Sequence, residues 1–278
     1  MTGRRERAIL IPSSLTMESR DKRLNTLKVG LIARAAAVFR VDRIVVYRDP
    51  EFNDSRFISM VLRYMDTPQY LRKMLIPMKE ELRHVGILPP LRTGHHPLNA
   101  KTSALKIGEF RVGAVVESVG SDKGVWAEIG VDHPVPLRTK KSYQVGQRLN
   151  IRIFSLNPLA AEPVERSQIP CYWGYETVVT GSLEGYIENW KGAVLLTSRN
   201  GRSLTAESLQ RLGETYRRCD LAVVFGSSAR GVDAFLSKKA LERYDMINTI
   251  PYQGTETVRV EEAAFATLAL LNLVHLED

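Results

Sequence analysis

Two apolar stretches, Ala8-Ile-Leu-Ile-Pro12 and Arg43-Ile-Val-Val-Tyr47, decide the fold together with the segment that joins them. Each is a short aliphatic run of the kind that forms a strand buried on both faces. Apolar side chains recur at helical spacing within the joining residues 17–39: Leu24, Leu27, Leu31, Ala35 and Val38. Strand, helix and strand within about forty residues form a βαβ unit, so we expect a parallel sheet covered by helices.

Short aliphatic runs that predict buried strands occur again in the last third of the chain, and segments with helical spacing separate them. The predicted strands are Thr177-Val-Val-Thr180, Ala193-Val-Leu-Leu-Thr197, Leu221-Ala-Val-Val-Phe225 and residues 246–250. Residues 258–276 are apolar at helical spacing, which predicts a helix buried in the core or at a subunit contact. A further helix is expected from Pro68 to Gly86, because proline suits a first helical turn and apolar residues follow at helical spacing.

Residues 92–167 show a different pattern, in which Gly, Pro, Asp and Ser separate short β-like runs. The runs cover residues 110–119, 124–129, 135–138 and 149–156. About five short strands fit a small Greek-key barrel of the OB type, which commonly binds oligonucleotides, although a barrel can also serve as a plain spacer. The sequence therefore predicts a discontinuous α/β domain of residues 1–91 and 168–278, and a barrel domain of residues 92–167 inserted in it.

The charge of the chain is unevenly distributed. The 278 residues carry a formal net charge of +8, and 44% of them are apolar, which is enough for a sizeable core. Residues 1–91 carry a net charge of +7 and residues 92–167 a net charge of +4, whereas residues 168–278 carry −3. Because Lys and Arg provide sequence-independent affinity for phosphates, this asymmetry favours a polyanionic partner for the basic part, a solvated basic surface being the alternative.

Cysteine content and hydropathy indicate the compartment. The two cysteines, Cys171 and Cys219, lie far apart and outside any Cys-x-x-Cys pair, so neither a disulfide framework nor a cysteine zinc site is expected. No apolar run reaches the length of a membrane span, and residues 1–15 lack the pattern of a signal peptide. We expect a cytoplasmic protein.

Each of the three predicted strands that begin at residues 177, 193 and 221 ends in a loop of small or polar residues, at 180–182, 197–201 and 225–231. Ligands of open parallel sheets bind beyond the carboxyl ends of the strands, so these loops are the predicted pocket. Gly226 and Gly231 enclose a Gly-x-x-x-x-Gly pattern, but Val232-Asp233 follows in place of Lys-Ser/Thr. This excludes a P-loop nucleotide enzyme, and the chain has no Gly-x-Gly-x-x-Gly dinucleotide motif.

The most unusual run is Ile247-Asn-Thr-Ile-Pro-Tyr-Gln-Gly-Thr-Glu-Thr-Val-Arg-Val-Glu-Glu-Ala263, which combines a strand end, a polar loop and a helix start. Thr255 or Thr257 can cap the helix, and Glu261 and Glu262 suit its positive end. Stabilisation of the helix end explains Glu261 and Glu262. It does not explain why a loop this polar precedes a helix this apolar.

The final third resembles the SPOUT class of RNA methyltransferases. Two motifs carry the similarity, Val224-Phe-Gly-Ser-Ser-Ala-Arg-Gly231 and Gln253-Gly-Thr-Glu-Thr-Val-Arg-Val-Glu-Glu-Ala263, and Val29-Gly-Leu-Ile-Ala-Arg-Ala-Ala-Ala-Val-Phe39 resembles an early motif of the SpoU branch. With the inserted barrel, nearly the whole chain is similar to the archaeal and eukaryotic subfamily that carries an OB-like insertion. The resemblance implies a parallel α/β sheet with a C-terminal trefoil knot, interrupted by an OB-like barrel, in a homodimer that contacts through the terminal helix.

The resemblance also implies a site for S-adenosylmethionine. Its cofactor-binding residues map here to Thr180, Gly181, Thr197, Gly226, Ser227, Ile247, Asn248, Ile250, Gln253, Gly254 and Thr255. Arg34 falls on the functional arginine of the SpoU branch, but Lys28 replaces that motif's Asn and Ala35 its Thr. Glu256 stands in the closing motif where Arg is usual.

Methyl transfer from a sulfonium needs in-line positioning and, for a weakly acidic acceptor, removal of a proton. The candidate catalytic residues are the cations Arg34, Arg230 and Arg259 and the carboxylates Glu256 and Glu261. Structural ion pairs are the alternative for the arginines, and stabilisation of a helix end is the alternative for Glu261.

Basic residues of the inserted segment are the candidate RNA contacts. They are Arg92, His95, His96, Lys101, Arg138, Lys140 and Lys141. Trp126 or Tyr143 could supply a surface on which bases stack, although Trp126 fits a core position equally well. The His95-His96 pair lacks further ligands at metal-site spacing, so no metal site is predicted.

Together these features predict an S-adenosylmethionine-dependent RNA methyltransferase that acts on ribosomal RNA. A base, such as that of uridine, is favoured over ribose because Lys28 and Ala35 depart from the early motif of the ribose-methylating branch. The alternative is a non-catalytic RNA-binding or ribosome-assembly factor that keeps the knotted scaffold and has no affinity for the cofactor.

Overall fold

The computed structural model describes residues 5–118 and 124–274. Val119, His275 and Leu276, at the ends of a predicted strand and of the predicted terminal helix, lie outside these ranges. One compact unit comprises the described part of Met1–Arg63, His84–Pro89 and Tyr175–Asp278, and the other comprises Tyr64–Arg83 and Pro90–Gly174. The domain division at 91/92 and 167/168 stays a prediction.

The elements alternate between strands and helices at both ends of the chain, with consecutive strands in the middle. The strands are β1 Arg7–Pro12, β2 Arg43–Tyr47, β3 Phe110–Ser118, β4 Val125–Glu128, β5 Val135–Leu137, β6 Arg148–Leu156, β7 Leu159–Val164, β8 Glu176–Thr180, β9 Ala193–Ser203, β10 Leu221–Phe225 and β11 Asp245–Asn248. The α-helices are α1 Lys22–Val38, α2 Ser55–Asp66, α3 Arg72–Leu75, α4 Leu183–Glu188, α5 Ala206–Arg218, α6 Lys238–Arg243 and α7 Val260–Leu273. None of the helices within the described ranges is long and apolar enough to span a bilayer.

The first unit is built on a six-stranded sheet in the order β11-β9-β10-β1-β2-β8, and every pairing is parallel. The central strand β1 pairs Ile9 with Val223 of β10 and with Ile44 of β2. These residues have almost no solvent exposure. The parallel α/β sheet predicted from the sequence is confirmed, and the carboxyl ends of all six strands lie at one edge.

Helix α1 buries a face that consists mainly of small residues. Its alanines Ala33, Ala35 and Ala36 are fully buried with Val29 and Ile32, and a Cβ on Gly30 would lie 2.4 Å from Leu88 Cδ2. Four other apolar residues of the helix are 37–50% exposed: Leu24, Leu27, Leu31 and Val38. The helical spacing therefore predicted the helix correctly, but the leucines form an exposed stripe and are not part of the core.

The long helix expected from Pro68 to Gly86 is wrong. The chain forms only α3 and short 3₁₀ turns at Gln69–Leu71, Glu80–Leu82 and Val85–Ile87. Pro77 interrupts the segment because proline lacks the N–H that a continuing helix needs. Helix α2, which precedes it, was not predicted.

The second unit contains a closed barrel in the order β3-β4-β5-β7-β6. Strands β3 and β6 pair antiparallel, and a parallel pairing of Leu137 with Ala161 joins β5 to β7. Fully buried side chains fill the interior: Val115, Ala127, Ile129, Val135, Ile151, Ile153 and Ala161. The small β-barrel is thus confirmed, although strand β7 was not among the predicted runs, because Glu162-Pro163 obscures its alternation.

Asp66 organises a buried polar cluster in the same unit. Its Oδ1 lies 3.1 Å from His95 Nε2, and its Oδ2 lies 2.9 Å from Arg148 Nη2. Burial alone would raise the pKa of Asp66, but the hydrogen bond with His95 and the charge of Arg148 outweigh burial and hold the pKa below its usual value. His96 Nε2 lies 3.1 Å from the backbone oxygen of Asp66.

The His96 ring should make stability depend on pH. Burial, followed by the neighbouring His95, lowers its pKa from 6.5 to about 4. The unfolded chain therefore binds more protons between these values, and the stabilisation present above pH 6.5 is lost as the pH falls towards 4. We expect the free energy of unfolding to drop by about 3 kcal/mol across this window, measured by urea unfolding with circular dichroism.

The variant His96→Gln should flatten this pH dependence. His133→Gln, which removes an exposed histidine of the same unit, should leave the slope unchanged and is the matched control. Equal slopes in wild type and His96→Gln would contradict the assignment.

Candidate functional site

A cavity of about 220 Å³ opens at the carboxyl ends of β9, β10 and β11. Because β9 lies between the other two strands, the loops that follow all three meet at this point. The lining combines hydroxyl, amide and charged groups with apolar side chains: Thr197, Ser198, Arg199, Asn200, Phe225, Gly226, Ser227, Ser228, Ala229, Arg230, Gly231, Asp233, Asn248, Thr249, Ile250, Gln253, Glu256, Thr257, Val258, Val260 and Ala263. Such a mixture is typical of a site for a small polar organic molecule.

The loop after β10 forms one wall of the cavity with its backbone. A Cβ on Gly226 would lie 2.8 Å from Val232 N and 2.9 Å from Arg230 O, so only glycine fits there. The Ser227 hydroxyl donates to Arg230 O at 3.2 Å and accepts from Arg230 N–H at 3.0 Å. The loop is thus closed on itself and held in one shape.

The opposite wall comes from β9 and β11. A Cβ on Gly201 would lie 2.7 Å from the carbonyl carbon of Ile247, which shows how closely the two backbones approach. Asn248 donates from Nδ2 to Arg199 O at 3.1 Å and accepts from Ile250 N–H at 3.0 Å. Thr197 donates to Val224 O at 2.8 Å. These side chains fasten the walls to each other.

Gln253, Glu256 and Thr257 border the cavity on a third side. Arg199 donates from Nη1 to Glu256 O at 2.6 Å, and Gln253 donates from Nε2 to Thr255 O at 2.9 Å. Glu256 itself is exposed at the lining. A carboxylate is therefore available at the mouth of the cavity.

Arg230 brings a guanidinium to the lining. It forms ion pairs with Asp49 and Glu51 of the loop after β2, and its Cζ lies 5.2 Å from the centre of the Phe235 ring. The Tyr47 hydroxyl donates to Phe225 O at 2.7 Å, which ties the ends of β2 and β10 together. The cation therefore has a fixed place beside the glycine loop.

A second charged group lies at the start of α7. Glu18 forms an ion pair with Lys28, and Arg259 Nε lies 3.9 Å from Glu18 Oε2. Burial alone would raise the pKa of Glu18, but hydrogen bonds from Lys28 and Ser228 outweigh burial and lower it. Glu261 is only 5% exposed, and its burial raises the pKa of its carboxyl.

The structure brings most of the predicted cofactor residues to the cavity. Six of them line it, together with Arg230 and Glu256: Thr197, Gly226, Ser227, Asn248, Ile250 and Gln253. Ile247 is buried behind the wall, and Gly254, Thr255, Arg34, Arg259 and Glu261 lie outside the lining.

Thr180 and Gly181 are not brought to this cavity. They follow β8, which forms the opposite edge of the sheet, and β10, β1 and β2 stand between β8 and β9. Thr180 lines a separate hollow with Arg43, Tyr186 and Trp190. Consecutive strands along the chain were taken as neighbours, whereas the chain crosses the sheet between β8 and β9.

Sequence reasoning missed Arg199, Asp49 and Glu51. Arg199 lies within a loop that was singled out, but the bond that it makes across the cavity could not be read from the sequence. Asp49 and Glu51 directly follow a predicted strand, so their position at a carboxyl end was a usable signal.

The predicted RNA-contacting residues fall into an exposed group and a buried group. Five of them have exposed side chains: Arg92, Lys101, Arg138, Lys140 and Lys141. His95 is fully buried against Asp66, which removes it from the candidate contacts, and His96 is mostly buried beside it. Arg138 Cζ lies 5.8 Å from the centre of the Phe154 ring, an aromatic residue that was not predicted.

Comparison with known proteins gives consistent similarities. Residues 6–271 match a family described as "Putative RNA methyltransferase". An uncharacterized protein of Halobacterium salinarum is 37% identical over 96% of this chain and 99% of its own, and one of Haloarcula marismortui is 35% identical over 96% and 98%. The 28S rRNA (uridine-N(3))-methyltransferase of Homo sapiens is 27% identical over 95% of this chain and 77% of its own.

Proposed function

The chain belongs to this family of RNA methyltransferases, and from that premise we propose that it transfers a methyl group from S-adenosylmethionine to a uridine base of ribosomal RNA. The name of the human relative supports both the RNA class and the uridine. The observation that carries the proposal is the cavity at the carboxyl ends of β9, β10 and β11, which lies within the matched residues.

The lining fits S-adenosylmethionine by its chemistry. Ile250, Val258 and Ala263 offer apolar surface for a purine, and the side-chain oxygen of Gln253 suits a ribose or an amino acid. Ser227 and Thr197 are proposed to hold the backbone around the cofactor through the hydrogen bonds described above. Asn248 and Gly226 complete the proposed cofactor residues in the lining. Ile247, Gly254 and Thr255 are proposed to stabilise the lining from positions outside it. We leave Thr180 and Gly181 out of this set.

When bound, S-adenosylmethionine would supply a methyl group made electrophilic by its positive sulfur, and the sulfur–methyl bond would break to leave a neutral thioether. The acceptor is a nitrogen of the base that carries a weakly acidic proton, and this proton must leave as the nitrogen–methyl bond forms. Glu256, exposed at the cavity mouth, takes the proton on its carboxylate. Arg230 stabilises the negative charge that develops on the base.

The remaining candidates receive supporting roles. Arg259 and Arg34 are the cations proposed to bind substrate phosphate, and the exposed side chain of Arg259 suits this role. Glu261 is buried in the first turn of α7, so we assign it to the stabilisation of the helix end.

The finer features of the fold are proposed on the same basis. A SPOUT-type knot is proposed from the resemblance of the closing motif, and the sheet order β11-β9-β10 is compatible with it. An OB-type barrel fits the five strands. The exposed stripe of Leu24, Leu27 and Leu31 on α1, with Leu273 at the end of α7, supports a homodimer that uses the terminal helix.

The barrel is proposed to bind RNA. Lys140 and Lys141 follow Arg138 on one exposed turn, where they can contact successive phosphates. Phe154 beside Arg138 adds an aromatic surface for a base, and Tyr143 instead packs against the barrel core.

Cofactor binding tests the proposed site directly. Calorimetric titration with S-adenosylhomocysteine should show micromolar affinity, and Gly226→Val should abolish it because the added side chain meets Val232 N and Arg230 O. Gly181→Ala has open space around it and should bind like wild type. Equal affinity in Gly226→Val and wild type would place the cofactor elsewhere.

Methyl transfer to a ribosomal RNA fragment tests the role of Glu256. Glu256→Gln should lower kcat by about 100-fold, the usual contribution of a general base, while the affinity for S-adenosylhomocysteine stays unchanged. Raising the pH should restore part of the rate, since hydroxide then removes the proton. Glu242→Gln, which changes an exposed acid of α6, is the control, and a normal rate in Glu256→Gln would refute the assignment.

Salt-dependent RNA binding tests the barrel. Lys140→Ala/Lys141→Ala should weaken binding and lower the slope of log K against log salt by about 1 to 2. The matched pair Lys238→Ala/Lys239→Ala, on α6 of the other unit, should change neither. An unchanged slope in the barrel variant would exclude these lysines as phosphate contacts.

A further inference from the structure

The turn Asp49-Pro50-Glu51 after β2 places two carboxylates beside the cavity. Asp49 is fully buried, and its Oδ1 accepts the Glu51 N–H at 2.9 Å, which closes the turn. The Asp49 N–H donates to Ser13 Oγ at 2.8 Å, so the loop after β1 fixes the turn from the other side. The Asp49 carboxylate is therefore rigid before any ligand enters.

Arg230 is the partner of this turn. Its Nη2 donates to Asp49 Oδ1 and its Nη1 to Glu51 Oε1, and the Phe235 ring lies 5.2 Å from its Cζ. Tyr47 packs against that ring edge to face, with centres 5.2 Å apart. The guanidinium is held on three sides, yet about a fifth of the side chain (22%) remains exposed at the cavity.

The two acids differ in what they contribute. Glu51 is 67% exposed, and solvent screens its attraction to Arg230. Asp49 has no exposure, and its Oδ1 carries both the contact with Arg230 and the hydrogen bond from the Glu51 N–H, whereas Oδ2 has no hydrogen bond within the described residues. The burial of this charge is therefore offset mainly by Arg230. A long arginine side chain otherwise samples many rotamers, and a buried partner removes that freedom.

We propose that Asp49 is a positioning residue that holds the Arg230 guanidinium in the orientation that faces the substrate base. This inference rests on the proposed function, because it assigns Arg230 to charge stabilisation on the base. Asp49 lies outside the cavity lining, so its effect on the reaction passes through Arg230, which is part of that lining.

The test combines kinetics with a direct view of the arginine. Asp49→Asn, Arg230→Gln and the double variant are compared with wild type for kcat and KM with S-adenosylmethionine and a ribosomal RNA fragment. Asp42→Asn is the matched control, because Asp42 accepts a backbone N–H at the other end of β2, away from the cavity. NMR of the arginine side chains follows the Arg230 Nη–H protons, which donate to Asp49 and Glu51 and whose signals are assigned by their loss in Arg230→Gln.

Asp49→Asn should lower kcat by roughly 30-fold with both KM values within about threefold, because orientation acts on the transition state. Adding Asp49→Asn to Arg230→Gln should cost no further activity. The Arg230 Nη2–H protons should exchange slowly in wild type, where they donate to Asp49, and rapidly in Asp49→Asn. Asp42→Asn should keep the wild-type kcat even where its Tm falls.

Three results would overturn the proposal. They are a kcat in Asp49→Asn within twofold of wild type, independent losses in the double variant, or a loss of activity that only parallels the fall in Tm. If wild type transfers no methyl group, the proposed function fails. The positioning of Arg230 is then judged by NMR alone, and protected Nη2–H protons in Asp49→Asn refute it.

Discussion

The parallel pairing of β9 with both β10 and β11 is the constraint on which the site depends. Parallel strands end at a common edge, so the loops that follow these three strands must meet. The close approach of β9 and β11 at Gly201, and of the β10 loop to itself at Gly226, then leaves room for glycine alone. The cavity is a result of backbone packing, and its side chains mainly fasten the walls.

The sequence predicted the sheet well because its strands are buried on both faces. Short aliphatic runs such as Ile9-Leu10-Ile11 and Leu221–Phe225 have few alternatives to a central strand. The order of strands was harder, since periodicity reveals which residues are buried and carries no information on lateral neighbours. Thr180 and Gly181 were grouped with the other loops for that reason, and β8 proved to be the opposite edge.

The candidate site was predictable where a motif covered it and unpredictable where distant residues meet. Gly226, Ser227 and Gln253 lie in motifs quoted from the sequence, and the structure brings them to one cavity. Asp49 and Arg230 are separated by 181 positions, so only the fold reveals their contact. His95 shows the reverse error, because a basic side chain in a basic segment was expected at the surface and lies buried on Asp66.

The central position of β1 has a consequence for how the chain is made. Strand β2, one neighbour of β1, follows it directly in the chain. The other neighbour, β10, begins only at Leu221. The Glu6 N–H, just before β1, donates to Asp220 Oδ1, which is 214 positions away. At about 5 to 20 residues per second, the ribosome needs on the order of ten to forty seconds to deliver that partner. During this interval the nascent chain presents an unpaired aliphatic strand edge, which is the kind of surface that chaperones cover. The high contact order of this pairing makes closure of the sheet the slow event in the biogenesis of the molecule.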